Sequence, residues 1–333
     1  MGEDGRVTHV PALLTAGPLE PARVWRADRR ERQARPLRIA LITDGGSRIA
    51  AGALAGAGLA VTGLLGPDAL ESLAWAAEEQ LPGAYADLAA LLADEVDAVA
   101  LDVPPPRSDA LLRAAARAGL EVLLTLPRTA DAGALVEVLA TLDDGDLGHA
   151  VAVTGRADPA YDRVTALLPR LGPVSQVTVA PWPAGGPPRT ELVDLVRRWC
   201  GDVVAVCADP DAMPAESLGD ESPVTLALLT ERGATVLASE RFGARQAACA
   251  ITLIGADGRI VLHESTLLAA LGQRPLHGEQ VGRADPAAAL RLAAGGLADG
   301  DTRAATLRDL LVAARVLAAV ETSRTDGGWV ELG

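Results

Sequence analysis

A glycine-containing turn follows the first apolar segment of the chain, and it is the first place where the sequence could bind an anion. The turn reads Thr43-Asp44-Gly45-Gly46-Ser47-Arg48 and leads from the apolar segment 37–42 into a small-residue helix predicted over 49–57. Glycines at a strand-to-helix turn let the backbone approach a phosphate at the helix N-terminus. The candidate cofactor-binding residues are therefore Gly45, Gly46, Ser47 and Arg48, with a solvated side chain as the alternative for Arg48.

The same turn departs from a complete dinucleotide-binding fingerprint, which has three glycines and an acidic residue about 20 positions later. Gly45 matches the second glycine, but Thr43 and Arg48 stand at the first and third positions. Asp44 places a carboxylate where two phosphates would lie. Asp68 is interpreted as a helix N-cap, with a ribose anchor as the alternative. We therefore expect no cofactor, or only weak binding of NAD(P).

Glu191 and Asp194 lie three residues apart, which would place both carboxyl groups on one face of a helix. A carboxyl group transfers protons near neutral pH when burial raises its pKa. The alternative is ordinary negative charge near a helix N-terminus. Arg156 and Tyr161 come earlier in the chain; arginine suits carboxylate or phosphate recognition. Their alternative is a surface arginine and a packed tyrosine.

The charge balance excludes several partners. The 333 residues include 30 basic and 44 acidic side chains, for a formal charge of −14, which opposes binding to nucleic acid or to anionic membranes. All 30 basic residues are arginine, because the sequence contains no lysine. Mechanisms that need a catalytic lysine are therefore excluded.

Cysteine and histidine usage argues against a metal site. The three cysteines form no paired C-x-x-C motif, and the four histidines lack H-E-x-x-H or H-x-H spacing. The uncharged segment 49–67 is too rich in glycine and alanine to be read as a membrane span. The first residues carry no signal-peptide pattern, so we expect a soluble, cytoplasmic protein without a metal.

The first half of the chain alternates apolar strands with helices. This alternation is typical of a parallel sheet covered on both faces. The predicted strands are 37–42, 59–65, 97–103, 120–126 and 149–153, and the longer helices between them are 69–79, 108–118 and 130–142. Residues 1–36 lack such periodicity and are interpreted as an extension.

The second half of the chain has a different pattern of apolar residues. A helix over 160–171 is followed by apolar or alternating runs joined by short turns, which favour a mainly antiparallel sheet. The runs are 174–180, 203–208, 224–230, 235–241, 247–254 and 259–263, and a final helix is predicted over 303–322. The fold class is therefore α/β, with a Rossmann-like parallel sheet over 37–155 followed by an α+β domain with an open, mainly antiparallel sheet over 156–333.

Several strings resemble the glucose-fructose oxidoreductase and inositol dehydrogenase family, called Gfo/Idh/MocA. Residues 97–123 are similar to its DAV…TPP…AL-x-AG-x-x-V stretch, and 156–161 to its R-x-x-P-x-Y. Residues 191–201 resemble its H-x-x-D-L-x-R-x-x-x-G helix, and 306–332 its closing helix and strand. Together these strings cover nearly everything after residue 36.

The resemblance implies an NAD(P)-linked fold with substrate bound near Arg156 and Tyr161, at the domain junction. Glu191 stands at the histidine that the family uses as acid and base, Asp194 is kept, and Leu126 replaces the lysine of the family's E-K-P motif. The candidate catalytic residues are Glu191, Asp194 and Tyr161. The candidate substrate-binding residues are Arg156 and Tyr161.

These departures leave two hypotheses. In the first, the chain is a catalytically degenerate member, a small-molecule-binding protein or partner subunit without ordinary hydride transfer. The alternative is an NAD(P)-dependent oxidoreductase acting on a sugar-like or biosynthetic substrate with a non-standard proton donor; non-redox chemistry in the cleft is a third possibility. Because the family pairs subunits through the open sheet, we expect a homodimer or a heteromer with a homologous subunit.

Overall fold

A computed structural model describes residues 35–44, 50–104, 107–125, 132–183, 189–208, 225–241, 250–272, 277–282 and 285–332. Within these ranges the chain forms a five-stranded sheet followed by a nine-stranded sheet. This architecture confirms the predicted fold class.

The first sheet is entirely parallel, with strand order β2-β1-β3-β4-β5. Its strands are β1 (Arg38–Thr43), β2 (Ala60–Leu65), β3 (Ala98–Asp102), β4 (Glu121–Leu124) and β5 (His149–Val151). The helices between them are α1 (Ala50–Gly56), α2 (Ala69–Glu78), α3 (Leu88–Ala93), α4 (Arg107–Arg117) and α5 (Ala132–Asp144). Asp68 caps α2 by accepting bonds from the amides of Leu70 and Glu71, as its interpretation as an N-cap predicts.

The central strands are apolar on both sides because helices cover both faces of the sheet. On one face Leu101 and Val122 pack in a core that includes Leu112 of α4 and Leu135 of α5. On the other face Leu41 packs in a separate core with α1. The sheet therefore holds its carboxyl edge rigidly, and that edge is where open α/β sheets bind ligands.

One helix from the second half of the chain completes the second of these cores. Helix α8 (Pro286–Asp299) contributes Leu290 and Ala294 to the packing around Leu41. Sequence analysis did not predict this helix, since its alanines and paired Gly295 and Gly296 gave no clear helical periodicity. The chain thus returns to the parallel sheet after it has left it.

The second sheet is mainly antiparallel. Its order is β13-β12-β11-β10-β6-β9-β8-β7-β14, and β6 and β9 are its parallel neighbours. The strands are β6 (Val174–Pro183), β7 (Val203–Ala208), β8 (Thr225–Thr230), β9 (Thr235–Arg241), β10 (Ala250–Gly255), β11 (Gly258–His263), β12 (Thr266–Leu271), β13 (His277–Gln280) and β14 (Trp329–Glu331). Gly258 is required in its hairpin, because a Cβ there would lie 2.0 Å from the Ala270 carbonyl oxygen.

Three helices cover one face of this sheet: α6 (Pro159–Leu171), α7 (Arg189–Cys200) and α9 (Leu307–Asp326). Among the described residues, the opposite face carries the exposed apolar side chains Leu229, Leu237 and Ile254. The prediction that a second subunit covers this face stays a prediction. Within the described ranges, no helix is long and apolar enough to cross a membrane.

Helix α9 connects the two cores. Thr306 and Asp309 form a capping box at its start. Its first half, with Leu307 and Leu310, packs beneath the parallel sheet, whereas Val316 and Val320 pack against the second sheet. The helix begins four residues later than the predicted 303, at the position that the capping box sets.

Candidate functional site

The segment that leaves β5 collects half of the predicted site residues. It forms a short 3₁₀ turn, Thr154–Ala157, between the parallel sheet and α6. The turn carries Arg156, and the side chains of Tyr161, Glu191 and Asp194 lie against it. The structure therefore brings together residues that lie far apart in sequence.

Glu191 lies in the first turn of α7 and is 5% exposed. Its Oε1 accepts a hydrogen bond of 2.9 Å from the backbone amide of Thr154. Burial raises the pKa of Glu191 above its usual value, although hydrogen bonds from Thr154 and Gly155 act in the opposite direction.

Asp194 and Arg156 form a buried ion pair, with side chains 8% and 11% exposed. Arg156 Nη2 donates to Asp194 Oδ1 over 2.6 Å, and its Nε lies 3.0 Å from Oδ2. Arg156 also donates to the Ala304 carbonyl over 2.8 Å and lies 3.1 Å from Asp309 Oδ2. This guanidinium is thus held by acceptors from α7 and from the start of α9.

Asp309 extends this network, and its pKa is shifted in the direction opposite to that of Glu191. Burial alone would raise the pKa of Asp309, but Arg156, Thr306 and Arg197 outweigh burial and lower it. Arg197 lies 3.2 Å from Asp309 Oδ1. Sequence analysis missed Asp309 as part of this group; its signal was the T-x-x-D capping box from Thr306.

Tyr161 forms a wall of the same turn. Its ring packs edge-to-face on Trp199, with centroids 5.6 Å apart. A Cβ at Gly155 would lie 3.2 Å from the Tyr161 ring, so only glycine fits beneath it without displacement. The catalytic role of Tyr161 and the substrate-binding roles of Arg156 and Tyr161 stay predictions.

The other predicted residues lie elsewhere. Gly45, Gly46, Ser47 and Arg48 are outside the described residues, as is Leu126. His149 serves the fold, since its Nδ1 accepts a bond of 3.3 Å from the Leu307 amide. Among the described residues, no group of three or more His, Cys, Asp or Glu side chains is arranged to hold a metal ion.

A second polar group, which the sequence did not predict, lies at the carboxyl ends of β1, β3 and β4. Asp102 is buried there and accepts bonds from Thr125 Oγ1 over 2.7 Å and from Thr43 Oγ1 over 3.5 Å. These residues end neighbouring strands, because β1 pairs with β3 and β3 with β4. They form the floor of the crevice between β1 and β3.

Asp44 and Arg107 face each other above this floor. Asp44 follows β1, Arg107 begins α4 after β3, and their side chains form an ion pair. The connections from β1 and β3 lead in opposite directions along the sheet, so the pair lies at the topological switch point. Ser108, the next residue of α4, is 2% exposed, and its Oγ has no hydrogen-bond partner among the described residues.

The fold is that of known oxidoreductases. An NAD-binding oxidoreductase from Klebsiella pneumoniae matches with a TM-score of 0.77 and 17% identity over 90% of this chain and 99% of its own. An Agrobacterium radiobacter oxidoreductase, in complex with NAD⁺, L-tartaric acid and magnesium, matches with a TM-score of 0.77 and 17% identity over 89% of this chain and 98% of its own. An aldose-aldose oxidoreductase from Caulobacter crescentus, complexed with glycerol, matches with a TM-score of 0.77 and 18% identity over 90% of this chain and 100% of its own. No family model and no curated protein matches the chain.

This comparison corrects one expectation. The expectation of no cofactor, or only weak NAD(P) binding, is wrong, because structures of this fold contain NAD⁺ or NADH. The physical error concerned Asp44. Its carboxylate was treated as an unpaired charge beside two phosphates, whereas Arg107 neutralises it.

Proposed function

We propose that the protein is an NAD(P)-dependent oxidoreductase acting on a neutral, polyhydroxylated substrate, with Glu191 exchanging the proton of the reacting hydroxyl. The observation that carries the proposal is the buried Glu191 carboxyl, with its raised pKa, beside the carboxyl edge of the parallel sheet. The likeness to NAD-binding oxidoreductases over both sheets supports it. This likeness favours an active oxidoreductase over a catalytically degenerate partner subunit.

The residues of the crevice between β1 and β3 fit a dinucleotide. An anionic pyrophosphate needs positive charge and hydrogen-bond donors. Arg107 supplies the charge, and Ser108 Oγ, which has no partner among the described residues, supplies a donor. The turn Gly45-Gly46-Ser47-Arg48 follows β1 at the same edge in sequence order, and we propose that it completes this binding site. A bound nicotinamide would take up the hydride removed from the substrate's carbinol carbon.

Glu191 would handle the proton of that reaction. In the direction of oxidation, its carboxylate accepts the proton of the substrate hydroxyl as the carbonyl forms; in reduction, its carboxylic acid returns the proton. A raised pKa brings the two protonation states closer in population near neutral pH, which suits an acid-base group. Placing this role on Glu191 also agrees with its position at the family's acid-base histidine.

The remaining residues would position the site. Asp194 is held by Arg156, so its charge is already compensated within the protein. Arg156 is in turn held by Asp194, Asp309 and the Ala304 carbonyl, and recognition of an anionic substrate would require it to exchange those bonds. We therefore propose a substrate rich in hydroxyl groups and without a charge. Tyr161 would form an apolar wall against it.

The test is a substrate screen of the full-length protein with NAD⁺ and NADP⁺, monitored by the absorbance of the reduced nicotinamide. The active pair is then repeated with Glu191→Gln, Glu191→His and the control Glu137→Gln, whose side chain is 70% exposed. Loss of the proton carrier should lower kcat by about 10²- to 10⁴-fold in Glu191→Gln. Glu191→His should restore part of the activity, because imidazole can also exchange a proton near neutral pH.

An unchanged kcat in Glu191→Gln would contradict the assignment of the proton carrier. A change of KM alone would also contradict it, because that would show a binding role. Retention of the melting temperature in both variants excludes unfolding as the cause of any loss.

A further inference from the structure

The Asp44–Arg107 pair stands out among the ion pairs at the carboxyl edge of the parallel sheet. It joins two residues 63 apart in sequence, one after β1 and one at the first position of α4. Their side chains are 30% and 40% exposed, so both are accessible to a ligand in the crevice. Asp44 is the ion-pair partner that the described residues provide for Arg107.

The surroundings of Arg107 favour exchange of this partner. Burial lowers the pKa of Arg107, which shows that its guanidinium is partly removed from water. A partly desolvated cation gains from any anion that can satisfy more of its N–H groups. A carboxylate on a turn can leave, whereas the phosphates of a dinucleotide bring several acceptor oxygens to the same switch point.

We infer that Arg107 contacts a phosphate of the dinucleotide, and that Asp44 is its counter-ion in the free protein and is displaced when the phosphate arrives. This inference rests on the proposed function for the identity of the ligand. It assigns Asp44 a definite role: it neutralises Arg107 while the crevice is empty and competes with the phosphate afterwards.

The experiment measures dissociation constants by calorimetry on the full-length protein, with NADH and with inorganic pyrophosphate as separate probes. The variants are Arg107→Gln, Arg107→Lys and Asp44→Asn. The matched controls are Arg113→Gln and Glu137→Gln, because Arg113 and Glu137 form an exposed ion pair on α4 and α5 with a separation of 3.2 Å. Melting temperatures establish that each variant is folded.

We expect Arg107→Gln to weaken both probes by about ten- to a hundredfold, the usual effect of losing charge-assisted bonds. Arg107→Lys should weaken them less, since it keeps the charge and loses the planar fork. Asp44→Asn should tighten both probes by up to about fivefold, because the competing carboxylate is gone. The two controls should bind like the wild type.

Three results would overturn the inference: equal binding by Arg107→Gln and Arg113→Gln, weaker binding by Asp44→Asn, or no binding of either probe by wild type and Asp44→Asn. The proposed function fails separately. If pyrophosphate binding depends on Arg107 but no dinucleotide binds, the phosphate contact stands and the oxidoreductase proposal falls. If dinucleotide binds and turns over equally without Arg107, the oxidoreductase proposal stands and this inference falls.

Discussion

Two arginines at the carboxyl edge of the parallel sheet have opposite environments. Arg156, after β5, is buried and shared among Asp194, Asp309 and a backbone carbonyl. Arg107, after β3, is accessible and paired with Asp44. The first guanidinium is committed to the fold, because moving it would leave the buried Asp194 carboxylate without its cation and Asp309 with Arg197 alone. The second can change partners at little cost, which suits a ligand contact.

The largest difference between the two arginines should appear in the free energy of unfolding when each side chain is truncated to alanine. Arg156→Ala leaves Asp194 buried without its cation and should lower the free energy of unfolding by about 3 to 5 kcal/mol. Arg107→Ala breaks an accessible pair and should cost no more than about 1 kcal/mol. Urea denaturation of both variants measures the contrast. Equal losses would show that the two arginines do not differ in the way described.

An intermediate effect is expected at the start of the described chain. Arg35 Nη1 lies 2.6 Å from Asp97, which is 5% exposed and also accepts a bond from the Arg38 amide. Deleting residues 1–34 should preserve the melting temperature. Extending the deletion through Pro36 should lower stability by roughly 1 to 2 kcal/mol, because Asp97 loses its charged partner. Arg35→Gln in the full-length chain separates this contact from the extension.

The smallest expected effect is the pH dependence of stability, which has opposite signs for Asp309 and Glu191. The folded pKa of Asp309 is lowered, so its contribution to stability is present above its ordinary pKa and is lost as pH falls through the folded value. The folded pKa of Glu191 is raised, so its contribution is present below its ordinary pKa and is lost as pH rises through the folded value. Relative to wild type, Asp309→Asn should therefore be most destabilised near neutral pH, and Glu191→Gln least destabilised there. Denaturation at a series of pH values checks both signs, and parallel slopes would contradict them.

The sequence predicted those elements whose signal is local. Buried parallel strands such as 97–103 are mainly apolar, and the structure places β3 within that segment. Helix α8 was missed because an alanine-rich segment with two glycines carries little periodicity. Strands β12 and β13 were missed for a related reason: Glu264 makes the turn before β12 with a φ of 51°, a conformation that favours glycine.

The candidate site was predictable where residues share one element and not where they meet across the fold. Glu191 and Asp194 share α7, so the resemblance of one continuous segment, 191–201, to a family helix identified both. Asp44 was misjudged because its partner Arg107 lies on another element, and the burial of Glu191 by the Thr154 turn leaves no trace in sequence. Whether a charged side chain is neutralised depends on its partners from other elements. The cofactor expectation was wrong because it treated Asp44 as an unpaired charge.

The most direct test of the account is a titration of the purified full-length protein with NADH and NADPH, followed by fluorescence. The account predicts saturable binding of at least one reduced cofactor with a dissociation constant in the micromolar range, within the usual span of enzyme affinities for their substrates. Failure of both cofactors to saturate at millimolar concentration would contradict it.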